Sequence, residues 1–171
     1  MDLLDRIKKL SATHFEEVVF HRRHFHAAPE LSMQEHKTAA YIVHQLSAMG
    51  IPYREGIAGT GVMAMIRGER ESDAVVALRA DMDALPITEE NKVDYRSANQ
   101  GVMHACGHDV HMASLLGTAR ILQALRAEWG GTVKLFFQPS EEKAPGGAQL
   151  MIREGVLQDP APGSVWGQHV F

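Results

Sequence analysis

The stretch that decides the fold is AVVALRADMD, residues 74–83, in which a mostly apolar run is followed directly by two acidic residues. A short run that is almost entirely apolar predicts a strand covered on both faces, as in the parallel sheets of α/β proteins. The two carboxylates, Asp81 and Asp83, are costly to bury beside such a strand unless a positive group compensates them. The stretch therefore predicts a layered sheet with a polar site at the end of one strand.

Strands and helices alternate on both sides of this stretch. Further strands are predicted at residues 61–67, 132–137 and 164–170, and helices at about 3–27, 32–50, 109–129 and 146–157, with a long polar loop at 81–108. Ser32 is followed three residues later by Glu35, a capping-box pattern that predicts the start of the second helix. The alternation indicates an α/β fold with a mixed, partly parallel sheet flanked by helices.

Composition and charge narrow the range of partners. The 171 residues are 45% hydrophobic and 22% charged, and the formal net charge is −4 with both signs interspersed. This balance argues against a nucleic-acid partner and against an acidic membrane surface. No apolar run approaches the ~20 residues of a spanning helix, and the charged N-terminus has no signal-peptide core, so we expect a cytoplasmic protein. Cys106 is the single cysteine, which excludes an internal disulfide.

Side chains that commonly bind metals occur just after predicted strands and just before the long helix. These are Cys106 and His108 in MHACGHDVH, the adjacent Glu141 and Glu142 in QPSEE, and His169 in GQHV. Adjacent carboxylates at a strand end point in different directions, so one can bind a metal while the other handles protons. Each motif alone is weak, but binding sites of open α/β sheets gather at the carboxyl ends of strands, which indicates one shared site. The start of the long helix is expected to favour the Cys106 thiolate.

Ten histidines is a high count for this length. Six of them occur in helix-like sequence within the first 44 residues, where we interpret them as polar positions on helix faces and not as ligands. These six are His14, His21, His24, His26, His36 and His44. The other four, His104, His108, His111 and His169, occur among Cys, Asp and Glu residues, which favours a place at the site.

Together these segments resemble the amidohydrolase branch of the two-metal aminoacylase and carboxypeptidase family, which includes hippurate hydrolase, indole-acetyl-amino-acid hydrolases and N-acyl-amino-acid amidohydrolases. The matching stretches cover the chain in order. They are HRRHFHAAPELSMQE (21–35), ALRADMDALPI (77–87), MHACGHDVHMASLLG (103–117), GTVKLFFQPSEEKAPGGAQLMIREG (131–155) and GQHV (167–170). The CGHD and PSEE segments together are the specific part of the resemblance.

The resemblance implies a two-metal centre. It makes Cys106, His108, Glu142 and His169 the ligands of two divalent ions, and Glu141 the general base. Such a mixed set of donors suits zinc, manganese, cobalt or nickel. The implied reaction is hydrolysis of the amide bond of an N-acyl amino acid, a small-molecule substrate, by water that the metals activate.

Further residues are expected beside these ligands. Asp83 resembles the carboxylate that orients a metal ligand in this family, so we group it with the catalytic residues, and Asp81 lies next to it in the sequence. His104 and His111 are expected near the site without an assigned role. For His111, packing on the long helix is an equally good interpretation.

Members of the family are considerably longer than this chain. The resemblance therefore implies that residues 1–171 form the N-terminal part of a di-metal exopeptidase-like catalytic domain, without the lid domain that often forms a homodimer contact. A rival hypothesis is a catalytically incomplete fragment that acts only as a metal-binding or self-associating module. A single structural zinc at Cys106 and His108 is a weaker alternative, because structural zinc sites favour closed sets of Cys and His.

Overall fold

The apolar run at residues 74–80 lies inside a five-stranded sheet. The computed structural model describes residues 2–170. The strands are β1 (Tyr53–Ile57), β2 (Gly61–Arg67), β3 (Arg70–Asp81), β4 (Gly130–Gln138) and β5 (Ser164–Gly167). The helices are α1 (Leu3–Thr13), α2 (Phe15–Ala27), α3 (His36–Ala48), α4 (His108–Ala124) and α5 (Gly147–Arg153), with a short 3-10 turn at Arg126–Glu128. Within the described residues, no helix combines the length and the apolar character that crossing a membrane requires.

The sheet is mixed, with the strand order β1-β2-β4-β3-β5. β3 pairs in parallel with both β4 and β5, whereas β2 is antiparallel to β1 and to β4. The predicted α/β class, with a partly parallel sheet flanked by helices, is therefore confirmed. Because β3, β4 and β5 run in the same direction, their carboxyl ends meet at one edge of the sheet.

Both faces of the sheet are covered by apolar packing. Leu135 and Phe137 of β4 point into the larger core, which α3 and α4 complete with residues such as Leu46 and Leu116. Phe136, between them in sequence, packs on the opposite face in a smaller cluster with residues of α5 and the segment after it. The alternation along β4 is the period of two expected of a strand. It explains why the apolar segments of this sheet read as nearly continuous runs.

The helical region at the N-terminus is divided in two. The prediction of a single helix from Leu3 to Ala27 is wrong, because His14 has φ −96° and ψ 5° and closes α1 before α2 begins. Thr13 and His14 are weak helix formers, and the Thr13 hydroxyl donates to the Lys9 carbonyl oxygen at 2.9 Å.

Strand and helix ends also differ from the predicted ones. β1 was not predicted, because only Ile57 of its five residues is buried and no apolar alternation marks it. The long helix ends at Ala124 and not near Trp129, whose indole N–H donates to the Leu122 carbonyl oxygen at 3.0 Å. β5 ends at Gly167, so residues 168–170 lie outside the strand.

The start of α3 has a different cap from the predicted one. No side chain of the Ser32–Glu35 pair caps the helix, which begins at His36. The carboxylate of Glu30 instead accepts the backbone N–H of Thr38 at 2.8 Å. The capping-box prediction is wrong because both of its side chains have partners in distant segments of the chain, described below.

The burial of Leu46 makes a direct test of this core. Leu46 is 0% exposed, whereas Leu4 on α1 is 57% exposed. We expect Leu46→Ala to lower the free energy of unfolding by about 2–5 kcal/mol, because the substitution leaves a cavity in close-packed surroundings. Leu4→Ala is the control and should change it by less than about 0.5 kcal/mol. Denaturant unfolding measures both values, and equal losses would contradict the packing described here.

Candidate metal centre

The carboxyl ends of the parallel strands bring the predicted ligand segments together. Asp81 at the end of β3 is paired with Gln138 at the end of β4, and Arg79 is paired with Gly167 at the end of β5. Acidic residues or a histidine follow each strand closely: Asp83 after β3, Glu141 after β4 and His169 after β5. The first turn of α4 approaches the same edge and contributes His108.

All predicted ligands converge around His108. The Cys106 Sγ atom lies 3.5 Å from His169 Nε2, and His108 Nε2 lies 3.7 Å from Glu142 Oε1. The ligand atoms of Cys106, His108 and His169 all lie within 4.8 Å of one another, and so do those of His108, Glu141 and Glu142. His108 belongs to both groups, so a thiol, two imidazoles and two carboxylates share one small volume.

The imidazole of His108 is oriented for a metal ion. Its Nδ1 lies 2.8 Å from the carbonyl oxygen of Asp83, which fixes the proton on Nδ1 and leaves a lone pair on Nε2. That Nε2 is buried without a hydrogen-bond partner in the described chain and lies 3.5 Å from Asp81 Oδ2, which is itself ion-paired with Arg79 Nη1 at 2.7 Å. A buried nitrogen lone pair that faces carboxylates is unfavourable unless a cation lies in front of it. This arrangement fits a divalent metal.

The charge of the surroundings supports the same conclusion. Burial alone would lower the pKa of His108, but the adjacent carboxylates of Asp83 and Asp81 outweigh it and raise the pKa above its usual value. The site therefore favours positive charge, whether as a proton or as a metal ion.

The Cys106 thiol depends on a cation to ionise. Burial, the hydrogen bond with Glu142 and the negative charges of Glu141 and Asp81 raise its pKa to about 11. The raised pKa runs against the prediction that the start of α4 favours the thiolate, because burial and these carboxylates favour the neutral thiol. A divalent ion deprotonates a coordinating thiol outright, so Cys106 would become a thiolate when the metal binds.

Asp83 holds the loops of the site together. Its carboxylate accepts the backbone N–H of Glu141 at 2.9 Å, the backbone N–H of Glu142 at 3.0 Å and the Ser32 hydroxyl at 2.6 Å. Burial alone would raise the pKa of Asp83, but the contact with His108 and these hydrogen bonds hold it far below its usual range. With both carboxylate oxygens accepting hydrogen bonds, Asp83 serves as an anchor for the residues that face the centre.

Comparison with known proteins identifies the family. Residues 77–171 match the family model described as Peptidase family M20/M25/M40. The chain belongs to this family of hydrolases. The predicted membership in the two-metal aminoacylase and carboxypeptidase group is thereby confirmed.

Relatives in the family include named amidohydrolases. The chain is 48% identical over 153 residues to the N-acyl-L-amino acid amidohydrolase of Geobacillus stearothermophilus, covering 90% of this chain and 41% of the relative. It is 48% identical over 136 residues to the N-acetyl-L-cysteine deacetylase of Bacillus subtilis, covering 80% of this chain and 32% of that protein. The chain thus spans less than half the length of these relatives.

A solved structure of the M20 family has the same fold. The YXEP protein of Bacillus subtilis, a dinuclear metal-binding peptidase, superposes with a TM-score of 0.86 at 42% sequence identity. The superposition covers 94% of this chain and 44% of that protein.

Two side chains of this M20 member that sequence reasoning missed support the loop after β4. Glu35 is buried and accepts the Ser140 backbone N–H at 2.8 Å and the Thr60 hydroxyl at 2.6 Å. Ser140 has φ +49°, a conformation that residues other than glycine adopt rarely, so the backbone before Glu141 is strained and held from outside. Ser32, through Asp83, supports the same loop. Both residues lie in the 21–35 stretch that carries the family resemblance, which is the signal that could have found them.

The remaining histidines divide into buried and exposed ones. Contrary to the interpretation as polar positions on helix faces, His21 and His26 are buried. The ring of His26 is hydrogen-bonded to Asp109 at 2.7 Å and to Glu89 at 3.0 Å, because this face of α2 packs against the first turn of α4 and the long loop before it. In the described part of the chain, none of the six N-terminal histidines belongs to a group that could hold a metal.

His104 and His111, left without roles by the sequence, are both buried. Burial is the main cause that lowers the pKa of His104 to about 4, and neither of its ring nitrogens has a hydrogen-bond partner within residues 2–170. His111 lies beside the centre, with its ring centroid 5.5 Å from that of His108 and 4.9 Å from that of His169.

The anchoring by Asp83 predicts a pH-dependent contribution to stability. The pKa of Asp83 is lower in the folded chain than in the unfolded one, so the carboxylate stabilises the fold above the ordinary Asp pKa of about 4. We therefore expect the loss of stability caused by Asp83→Asn to be constant above about pH 5 and to shrink as the pH falls below about 4.

Denaturant unfolding at a series of pH values, with a chelator present to remove metal effects, measures this difference. Asp73→Asn is the matched control, because Asp73 is exposed and should show little loss at any pH. A loss at Asp83 that stays the same down to pH 3 or grows on acidification would contradict the anchoring role.

Proposed function

We propose that this chain forms part of a two-metal amidohydrolase that hydrolyses the amide bond of N-acyl amino acids. The observation that carries the proposal is the convergence of Cys106, Glu142 and His169 around the buried, unpaired Nε2 of His108. Relatives named as an N-acyl-L-amino acid amidohydrolase and an N-acetyl-L-cysteine deacetylase support the choice of reaction. The substrate would be a small molecule that presents an acylated amino group.

The metal ions would be held by Cys106, His108, Glu142 and His169. These donors combine a soft thiolate with imidazoles and a carboxylate, a set that suits zinc, manganese, cobalt or nickel. When bound, the two ions would supply an electrophile for the amide carbonyl and a water molecule of lowered pKa.

Glu141 would act as the proton carrier. Its carboxylate takes a proton from the attacking water as the oxygen adds to the carbonyl carbon, and returns it to the amine nitrogen as the C–N bond breaks. Glu141 is exposed at the site, and the bond from its backbone N–H to Asp83 fixes the start of its side chain. Asp83 would thus take part by orienting Glu141, Glu142 and His108, without contact with the substrate.

The proposal extends to the domain organisation, the location and the partners of the protein. We propose that residues 1–171 are the N-terminal part of a catalytic domain and that the protein is cytoplasmic, with no nucleic-acid or membrane partner. The proposal of a catalytic domain is supported by the family match over residues 77–171 and by the length of the relatives.

A second candidate function is a metal-binding or self-associating module without catalysis. It is favoured by the edge strand β5, where Val165 is 52% exposed and Trp166 is 65% exposed. In the described residues this strand pairs with β3 on one side only. An open, apolar edge can pair with the same edge of a second copy, which would form a homodimer.

One experiment separates the two candidates. The purified chain is titrated with zinc, manganese, cobalt and nickel, its mass in solution is measured, and hydrolysis of N-acetyl and N-benzoyl amino acids is followed. Two bound ions with hydrolysis support the amidohydrolase. One weakly bound ion or none, together with self-association, supports the module.

Substitution of the two adjacent glutamates distinguishes proton transfer from metal binding. We expect Glu141→Gln to lower turnover by at least about 100-fold, because the amide cannot carry the proton, while the number of bound ions stays the same. Glu142→Gln is the matched comparison and should weaken metal binding itself. Metal content and turnover are measured on both variants. Parental turnover in Glu141→Gln would rule out this residue as the base.

A further inference from the structure

A line of polar contacts, buried at its centre, joins β3 to the segment that carries His169. The Arg79 Nη1 atom lies 2.7 Å from Asp81 Oδ2, and Asp81 Oδ1 lies 2.7 Å from His111 Nδ1. The Nε2 atom of His111 accepts the backbone N–H of Val170 at 3.0 Å. Asp81 and His111 are almost completely buried, at 0% and 1% exposure, so the contact between them is shielded from bulk water, whereas the contact with Val170 is part-buried.

The contacts of His111 allow one protonation state. A backbone N–H can only donate, so His111 Nε2 must accept from Val170, and the ring proton must lie on Nδ1. Nδ1–H then donates to the Asp81 carboxylate. His111, Asp81 and His108 could hold an ion by distance alone, but both ring nitrogens of His111 are already engaged. His111 is therefore unsuited to be a ligand in this arrangement.

A second contact holds the same segment. A Cβ atom added to Gly107 would lie 2.6 Å from the Cγ2 atom of Val170 and 3.1 Å from its carbonyl oxygen, so Val170 packs directly on the backbone of Gly107. Gly107 lies between Cys106 and His108 and has φ +81°. Residue 170 is thus held by the segment that presents the other two members of the Cys–His–His group.

The segment needs such a support. β5 ends at Gly167, so residues 168–170 lie outside the hydrogen-bonded ladder of the sheet. His169 is itself exposed, and burial of its own side chain therefore contributes little to its position. The neighbouring residue, Val170, is one place where the rest of the protein holds this segment.

From these contacts we infer that His111 is a positioning residue, which sets His169 for metal binding by accepting the N–H of Val170 while Asp81 fixes its tautomer. The inference rests on the proposed metal centre and does not depend on the hydrolytic reaction. Its physical basis is that a ligand held in place before the ion arrives loses less conformational freedom on binding.

Three substitutions separate the two hydrogen bonds of His111. Gln keeps an acceptor near the position of Nε2, Asn keeps a donor near the position of Nδ1, and Phe keeps only the ring shape. We expect His111→Phe and His111→Asn to weaken cobalt binding by about 10–100-fold, the usual effect of losing a residue that orients a ligand. His111→Gln should recover most of the affinity, because it retains the bond to Val170.

The measurement is a titration with Co²⁺, followed by the visible absorption of the bound ion. The thiolate-to-cobalt band reports on Cys106 and serves as an internal reference for the rest of the centre. His21→Phe is the matched control, because His21 is a buried histidine whose Nδ1 lies 2.8 Å from the Tyr41 hydroxyl, in a contact between α2 and α3. It should lower thermal stability and leave cobalt affinity unchanged.

A double-substitution cycle tests whether His111 acts through His169. In a chain that carries His169→Ala, the further change His111→Phe should alter cobalt affinity by less than about twofold, because the ligand that it positions is already absent. Three results would overturn the inference: an equal loss in both backgrounds, no loss in His111→Phe, or no recovery in His111→Gln.

The outcome is separable from that of the proposed function. Cobalt binding with the expected pattern but without amide hydrolysis would contradict the amidohydrolase and leave the role of His111 intact. Hydrolysis together with a cobalt affinity that is unchanged by substitution of His111 would support the amidohydrolase and contradict the role of His111. A parent chain that binds no cobalt would contradict both.

Discussion

The buried carboxylate of Asp83 is the constraint on which the arrangement of the site depends. A carboxylate at 1% exposure is stable only if donors surround it, and here they come from Ser32 and from the backbone of Glu141 and Glu142. The carbonyl oxygen of the same residue orients His108. Asp83 alone, just after β3, therefore fixes both the loop after β4 and the first residue of α4. The candidate metal ligands are thus held in place before any ion is bound.

The second constraint is charge. Cys106 and His108 lie among the carboxylates of Asp81, Glu141 and Glu142, and the pKa values of both are raised. A site that favours positive charge on a histidine and opposes negative charge on a thiol has an excess of negative charge when no cation is bound. A pair of divalent ions would relieve both effects. The same reasoning explains why the Nε2 atom of His108 can be buried without a hydrogen bond.

Sequence patterns predicted the elements whose apolar residues differ clearly from the polar residues that flank them. The bounds of β2 agree with the predicted strand, and the cores of β3 and β4 were found because both of their faces are covered. β1 escaped prediction because it is an edge strand with one buried residue. The Ser32–Glu35 pair was mistaken for a helix cap because a local pattern cannot reveal partners 51 and 105 residues away.

By itself, the sequence determined the fold class, the family, and the three segments in which the candidate ligands occur. These properties are local or periodic, so they can be read from neighbours along the chain. Only the tertiary structure decided which atoms face one another: the tautomer of His108, the anchoring of Asp83, and the contact of His111 with Val170. The raised pKa of the Cys106 thiol likewise comes from burial and from carboxylates at the ends of β3 and β4, which the sequence around Cys106 does not reveal. Such contacts arise from strand order and register, which join residues far apart in the sequence.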